Sequence, residues 1–313
     1  MALRHLAPLL LAGFASSNLR ADVTITLSAD VQSLQPIPMG LKLEPFGRSS
    51  GSSLRTTRVK GNQCLSSSGS SSNIIDLSKQ DVTLMDGVRK IYTTVSLAKY
   101  GEIVAASAPK PSPEAQATVK MKTTTSVRHT GRTDSIYGIE AEEREITMLV
   151  ETEITAAGAP LSGPLMRFVI QVWTAKHEEM VGRPALRELA DFSAVRNTFA
   201  NPIEMLQKVA TSFTGSSEGM TAVVDEIKKG NSIVLREVSE VYLPILGAAF
   251  EKLAALRGQP LSAGFDANAP FSRMTTEVVE FSTAALDDAV FQIPPDYTAA
   301  MADEFLKGAK PVH

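Results

Sequence analysis

Val119-Lys-Met-Lys-Thr-Thr-Thr-Ser-Val127 puts Val119, Met121 and Val127 on one side of an extended chain, and Lys120, Lys122, Ser126 and then Arg128 on the other. A period of two marks a β-strand with one dry face and one wet face. The same alternation recurs upstream, where Val23, Ile25 and Leu27 interleave with Thr24, Thr26 and Ser28, and Ile91, Thr93, Val95 and Leu97 interleave with Lys90, Tyr92, Thr94 and Ser96. The zone from Asp22 to about Thr174 therefore reads as antiparallel sheet. Ile146-Thr-Met-Leu-Val150 and Leu165-Met-Arg-Phe-Val-Ile-Gln-Val-Trp173 differ in being apolar on both sides. Met166, Phe168, Ile170 and Val172 share one face, Leu165, Val169 and Trp173 the other, so a second layer is expected to cover them.

Downstream the period changes. Between about 183 and 257 helices are expected near Ala185–Thr198, Pro202–Ser212, Glu218–Lys229 and Leu243–Arg257, with Pro184 and Pro202 at first-turn positions and Gly230 and Gly258 at stops. Ile233–Tyr242 carries β-branched residues, but Val234, Val238, Val241 and Ile245 keep helical spacing, and the segment is read as helix with a bend at Pro244. Strands return in Gln259–Gly264 and Arg273–Phe281, read as a hairpin around Asn268-Ala-Pro270. Ala289–Tyr297 is expected to end the sheet at its two prolines, and Ala299–Leu306 to form a last helix. The serine clusters at 49–53 and 66–72 and the proline-rich 108–113 read as exposed connections. They carry no phosphate-loop lysine.

The N-terminus has the form of an export signal. Arg4 and His5 precede the apolar run Leu6–Ala15, which is too short to span a bilayer. Cleavage is expected after Ala21, with Ser17 as the rival position, so residues 1–21 form a signal peptide and 22–313 one domain into which the helical segment 183–257 is inserted. The one cysteine, Cys64, lies too late for lipid attachment and allows no internal disulfide, so stability must come from the core that 43% hydrophobic residues can supply. Asn-x-Ser/Thr acceptor sites are absent, which makes a bacterial periplasm the expected compartment. Without Arg4 and Arg20 the chain carries 29 basic and 34 acidic residues, a net of −5, which argues against a nucleic-acid partner. No later run is long enough for a transmembrane anchor.

Catalytic signatures are weak. His177-Glu-Glu179 lacks a second histidine one helical turn on, so no metal site is expected, and no cofactor motif is present. His129 is placed at a hairpin tip before Thr130-Gly131. The serine run Ser66–Ser72 lacks the first glycine and the following helix of a Gly-x-Ser-x-Gly elbow. Cys64 reads as a half-buried strand residue, and Glu140-Ala-Glu-Glu-Arg-Glu145 as a solvated strand surface with some ion pairing. The expectation is a protein that is not an enzyme.

Thr130-Gly-Arg-Thr-Asp-Ser-Ile-Tyr-Gly138 resembles the strand-turn-strand pattern Thr-Gly-x-x-x-x-Ile-x-Gly of uncharacterised bacterial exported proteins related to the outer-membrane lipoprotein carrier LolA. Phe291-Gln-Ile-Pro-Pro-Asp-Tyr297 is similar to their terminal Phe-x-x-Pro-x-x-Tyr, and the order of signal, strands, helices and strands is similar too. The resemblance implies an α+β fold, a curved antiparallel sheet forming an incomplete β-barrel with helices over its concave face. It also implies a binding space for a lipid or other hydrophobic molecule. Met121, Phe168, Ile170 and Val172 are the residues expected to line that face, with ordinary core packing as the alternative role for the same four. The carriers lack a counterpart to 183–257, so lipoprotein transfer is not carried over. The second reading is a periplasmic interaction or assembly module with a filled core and no ligand.

Overall fold

A computed structural model of the chain describes residues 22–35, 51–107, 119–156, 159–196, 233–245, 247 and 265–307. The signal segment, the helices expected over 202–212 and 218–229, and the 259–264 strand lie outside the described residues. The first half of the sheet comprises β1 (Val23–Ser33), β2 (Gly51–Lys60), β3 (Gln63–Ser68), β4 (Ser71–Asp76), β5 (Asp81–Asp86) and β6 (Ile91–Ser96). α1 (Leu97–Ser107) follows. The long strands β7 (Val119–Ile136), β8 (Ile139–Ala156) and β9 (Ala159–Ala175) lead into α2 (His177–Gly182) and α3 (Pro184–Arg196). β10 (Val234–Tyr242), β11 (Ser272–Ser282), β12 (Thr298–Ala299) and α4 (Ala302–Lys307) complete the described elements.

All twelve strands join one open, curved sheet in the order β12-β6-β5-β4-β3-β2-β1-β11-β10-β9-β8-β7. Two antiparallel meanders, β1–β6 and β7–β11, meet where β1 pairs with β11. Register shifts at Thr26/Leu27, His129/Thr133, Val150/Glu151 and Val234/Arg236 interrupt the ladders. Such bulges bend strands and increase their twist, which suits a sheet that curves.

Several expectations need correction. Ile233–Tyr242 is not helical: Val234–Tyr242 is strand β10, hydrogen-bonded between β9 and β11. Its β-branched content decided the matter once neighbours stood on both sides. The partners of β11 are β1 and β10. The sheet does not end at the prolines; a 3-10 turn at Asp288–Phe291 precedes them and β12 follows, pairing in parallel with β6. The last helix begins three residues later than expected, at Ala302. The serine clusters lie largely within strands, since Gly51–Ser53 open β2, Ser66–Ser68 end β3 and Ser71 and Ser72 start β4.

The terminal Phe-to-Tyr motif has a structural task. Leu65, Ile74 and Met85 form one face of β3–β5, and Phe291 seals them with Tyr92, Leu286, Val290 and Tyr297 around it. Lys60 holds this segment down, donating to Leu286 O at 2.6 Å and pairing with Asp288 at 2.6 Å. The opposite face of the same strands enters a larger cluster, where Val23, Ile25, Val59, Cys64, Ile75 and Val82 join Met180 of α2 and Leu186, Leu189 and Phe192 of α3. Cys64 is fully buried there rather than half-buried.

The turns carry their own instructions. The β4–β5 and β5–β6 hairpins share a four-residue loop that opens on an aspartate and closes on a residue with positive φ, Gln80 (56°) and Lys90 (56°). Asp76 accepts from Ser78 N at 2.9 Å, Ser78 Oγ at 2.5 Å and Lys79 N at 3.1 Å, and pairs with Lys79 Nζ at 3.1 Å. Burial alone would raise its pKa, but hydrogen bonds from Ser78, Lys79 and Gln63 outweigh burial and hold the carboxyl below the usual range. A depressed carboxylate adds stability above the unfolded value near 3.9 and loses it as pH falls through the folded value. Asp76→Asn is therefore expected to cost about 1–2 kcal/mol at pH 7, and urea melts at pH 3 are expected to show a smaller difference from wild type.

Candidate functional site

Residues paired across a sheet share a face, so the ladders assign every side chain to one side or the other. Ile146 faces Ile170, Met148 faces Phe168 and Val150 faces Met166, while Phe168 and Ile170 continue to Val241 and Ser239 of β10. On β7, Thr123, Thr125 and Val127 oppose Val150, Met148 and Ile146. Met121, Phe168, Ile170 and Val172 thus lie on one face. They belong to one cluster with Ile146, Met148, Val150, Met166, Leu243 and Phe271, each at most 9% exposed. Three methionines stand in this field, and unbranched thioethers repack more easily than branched side chains.

The other face of β9 is only half-buried at Leu165, Val169 and Trp173. Trp173, for which helical cover was expected, packs against the larger cluster and also has two guanidinium groups near its ring, Arg132 at 6.0 Å and Arg236 at 5.4 Å from the ring centre. Arg236 also binds Asp134 at 2.5 Å and Glu277 at 2.6 Å. Burial opposes its charge, but Glu277 and Asp134 outweigh burial and raise its pKa. The far end of the β7–β8 hairpin is tied down to β10 and β11 in this way, and the Tyr137 hydroxyl donates to Val279 O beyond.

Glu140–Glu145 is not uniformly a wet surface. Glu143 has no side-chain exposure; Arg132 binds both of its oxygens, and Thr130 Oγ1 donates to Oε2 at 2.6 Å. The sequence around Thr130-Gly131 looks like a turn because Gly131 adopts φ +75°, yet the chain spends that freedom on a bulge between His129 and Thr133. The hairpin tip is Tyr137-Gly138, where both φ values are positive (52° and 68°). His129 is therefore a strand residue, exposed at the bulge, and not at the tip. His177 is the exposed first residue of α2. Among the described residues no three His, Cys, Asp or Glu side chains converge as metal ligands, and no helix is long and apolar enough to cross a membrane.

Sequence reading missed the charged residues that share the apolar face. Glu237 precedes Ser239 and Val241 on that side of β10, directly across from Val172, which in turn opposes Arg144. Burial pushes the Glu237 carboxyl up, against a 2.7 Å hydrogen bond from the Ser239 hydroxyl. Reading 233–242 as a strand would have exposed this residue as a charge in an apolar row. A raised carboxyl destabilises the fold above the unfolded value near 4.3 and costs nothing below it. Glu237→Gln is expected to be more stable than wild type at pH 7, beyond the roughly 0.5 kcal/mol scatter of neutral substitutions. The gain should vanish in melts run below pH 4.

No family model and no curated protein matches the chain. Among solved structures, a LolA superfamily protein from Nitrosomonas europaea aligns over 88% of this chain and 91% of its own, at 7% identity and a TM-score of 0.26. Neither membership nor activity is transferred at that level of similarity.

Proposed function

We propose that this is an exported, non-enzymatic protein that binds a lipid or other hydrophobic molecule against one face of its curved sheet, beneath the segments that cover it. The observation that carries this reading is the apolar field of β7–β10, in which Met121, Phe168, Ile170 and Val172 stand beside Met148 and Met166. An acyl chain gains about 0.8 kcal/mol per buried methylene, so a binding space of this kind requires no reactive side chain. The charged n-region and short apolar run of residues 4–15 support export.

A second reading has its own support. All ten residues of the cluster are already at least nine-tenths buried, as in a core filled by the protein itself. An assembly module would be built in that way. Native mass spectrometry of the mature protein, purified from the compartment that receives it and followed by organic extraction, separates the two. A stoichiometric lipid adduct is the expected result. A bare mass, unchanged after incubation with lipid, would overturn ligand binding in favour of a protein partner.

A further inference from the structure

The serine-rich tracts build a polar band on the inner rows of β2–β4. Val59, Cys64, Ile75 and Val82 form one apolar row across four strands. The next row on the same face is Thr57, Ser66 and Asn73, and the row after it is Arg55, Ser68 and Ser71. Thr57 and Ser66 are buried. Arg55 is half-buried and stands across from Leu27, itself packed on the core.

Arg55, like Arg58 and Arg187, has no carboxylate paired with it among the described residues, whereas several other arginines do. Arg89, Arg128, Arg132, Arg236 and Arg273 each sit on a carboxylate. Arg55 has no ion pair or hydrogen bond among the described residues, and desolvation lowers its pKa. Asp86, three strands away in the same row, is already engaged by Val88 N, Arg89 N and Arg89 Nε of its own turn. Glu237 lies on the other side of β1 and β11, bound to Ser239. A guanidinium drawn out of water favours a bidentate oxyanion as partner, and neighbouring hydroxyls add donors to the same group.

We propose that Arg55, flanked by the hydroxyls of Ser66 and Ser68, binds the oxyanion head group of the hydrophobic ligand, which makes that ligand an anionic amphiphile carrying a carboxylate or a phosphate. The inference rests on the proposed function and narrows it. Titration of the full mature chain with oleate, dodecyl phosphate and uncharged methyl oleate, each below its micelle concentration, tests it. Wild type is expected to bind at least one of the two anions about tenfold or more tighter than methyl oleate, the scale of one hydrogen-bonded charge. Which anion binds tighter identifies carboxylate or phosphate as the source. Arg55→Met is expected to lose the preference and keep methyl oleate binding, while Arg55→Lys, which keeps the charge without the bidentate fork, keeps only part of it. Arg55→Met should also melt no lower than wild type, whereas an arginine held for structure would lower the melting temperature. Equal binding of methyl oleate and both anions to wild type would overturn the head-group site and leave hydrophobic binding standing. Binding of none of the three would overturn both. An unchanged preference in Arg55→Met would overturn the role of Arg55, and should that variant not fold, an unchanged preference in Arg55→Lys, measured beside wild type, would overturn it too.

Discussion

Replacing Arg132 with methionine is expected to destabilise the protein by about 3–5 kcal/mol, the cost of leaving a buried charge without its partner. Glu143 is the reason. Its carboxylate has no exposure, and Arg132 neutralises it from a position that is itself 59% exposed. An exposed arginine usually contributes under about 1 kcal/mol to an ion pair, so this pair separates two accounts of the same contact. At roughly 2–4 °C per kcal/mol for a chain of this size, the melting temperature should fall by about 10 °C. Thr130 still donates to Glu143 in the variant and tempers the loss. The double variant Arg132→Met/Glu143→Leu should recover much of it, because removing both charges removes the unpaired one. A loss below 1 kcal/mol in Arg132→Met would mean that water reaches Glu143 in solution, and the bulge at Gly131 would then have no electrostatic purpose.

Phe168→Ala is expected to cost about 3–5 kcal/mol through lost transfer energy and the void left behind. Phe168 is 3% exposed and lies between Met148 of β8 and Val241 of β10. How the neighbours respond bears on function. Met148 and Met166 can move into part of the space, which would bring the loss toward the lower limit. Under the proposed function, saturating lipid should restore part of the melting temperature by occupying the enlarged space, since a ligand that binds only the folded state stabilises it by mass action. In a protein whose core is simply filled, added lipid would leave the melting temperature of both wild type and variant unchanged. Thermal melts of wild type and Phe168→Ala, with and without lipid, give all four values in one series.

The local part of this fold was legible. Alternation in Val23–Ser28, Ile91–Ser96 and Val119–Val127 reports strands because side chains two residues apart share a face wherever the chain is extended. β10 was not legible in the same way. Val234, Val238 and Val241 keep helical spacing although their β-branched side chains suit a strand, and only the hydrogen bonds to β9 and β11 select the extended form. The four residues chosen for the apolar face, Met121, Phe168, Ile170 and Val172, do meet in one cluster. Glu237 and Arg55 were overlooked there, because a charged residue inside a β-branched or serine-rich stretch looks like the wet side of a strand until its partner strands are known.

From residue order alone came the strands around Val23–Leu27, Ile91–Leu97, Val119–Val127, Ile146–Val150, Leu165–Trp173 and Arg273–Phe281, and the face on which each side chain falls relative to its neighbours; these depend on contacts only a few residues apart. The tertiary structure decided which face is dry. β1 meets β11 across some 250 residues of chain, the bulge at Gly131 lets Arg132 bind Glu143 and lie against Trp173, and Phe291 closes the back of β3–β5. Alternation says that two sets of side chains point opposite ways. Whether a set meets water, a carboxylate or another layer of protein depends on long-range pairing, to which local periodicity is blind.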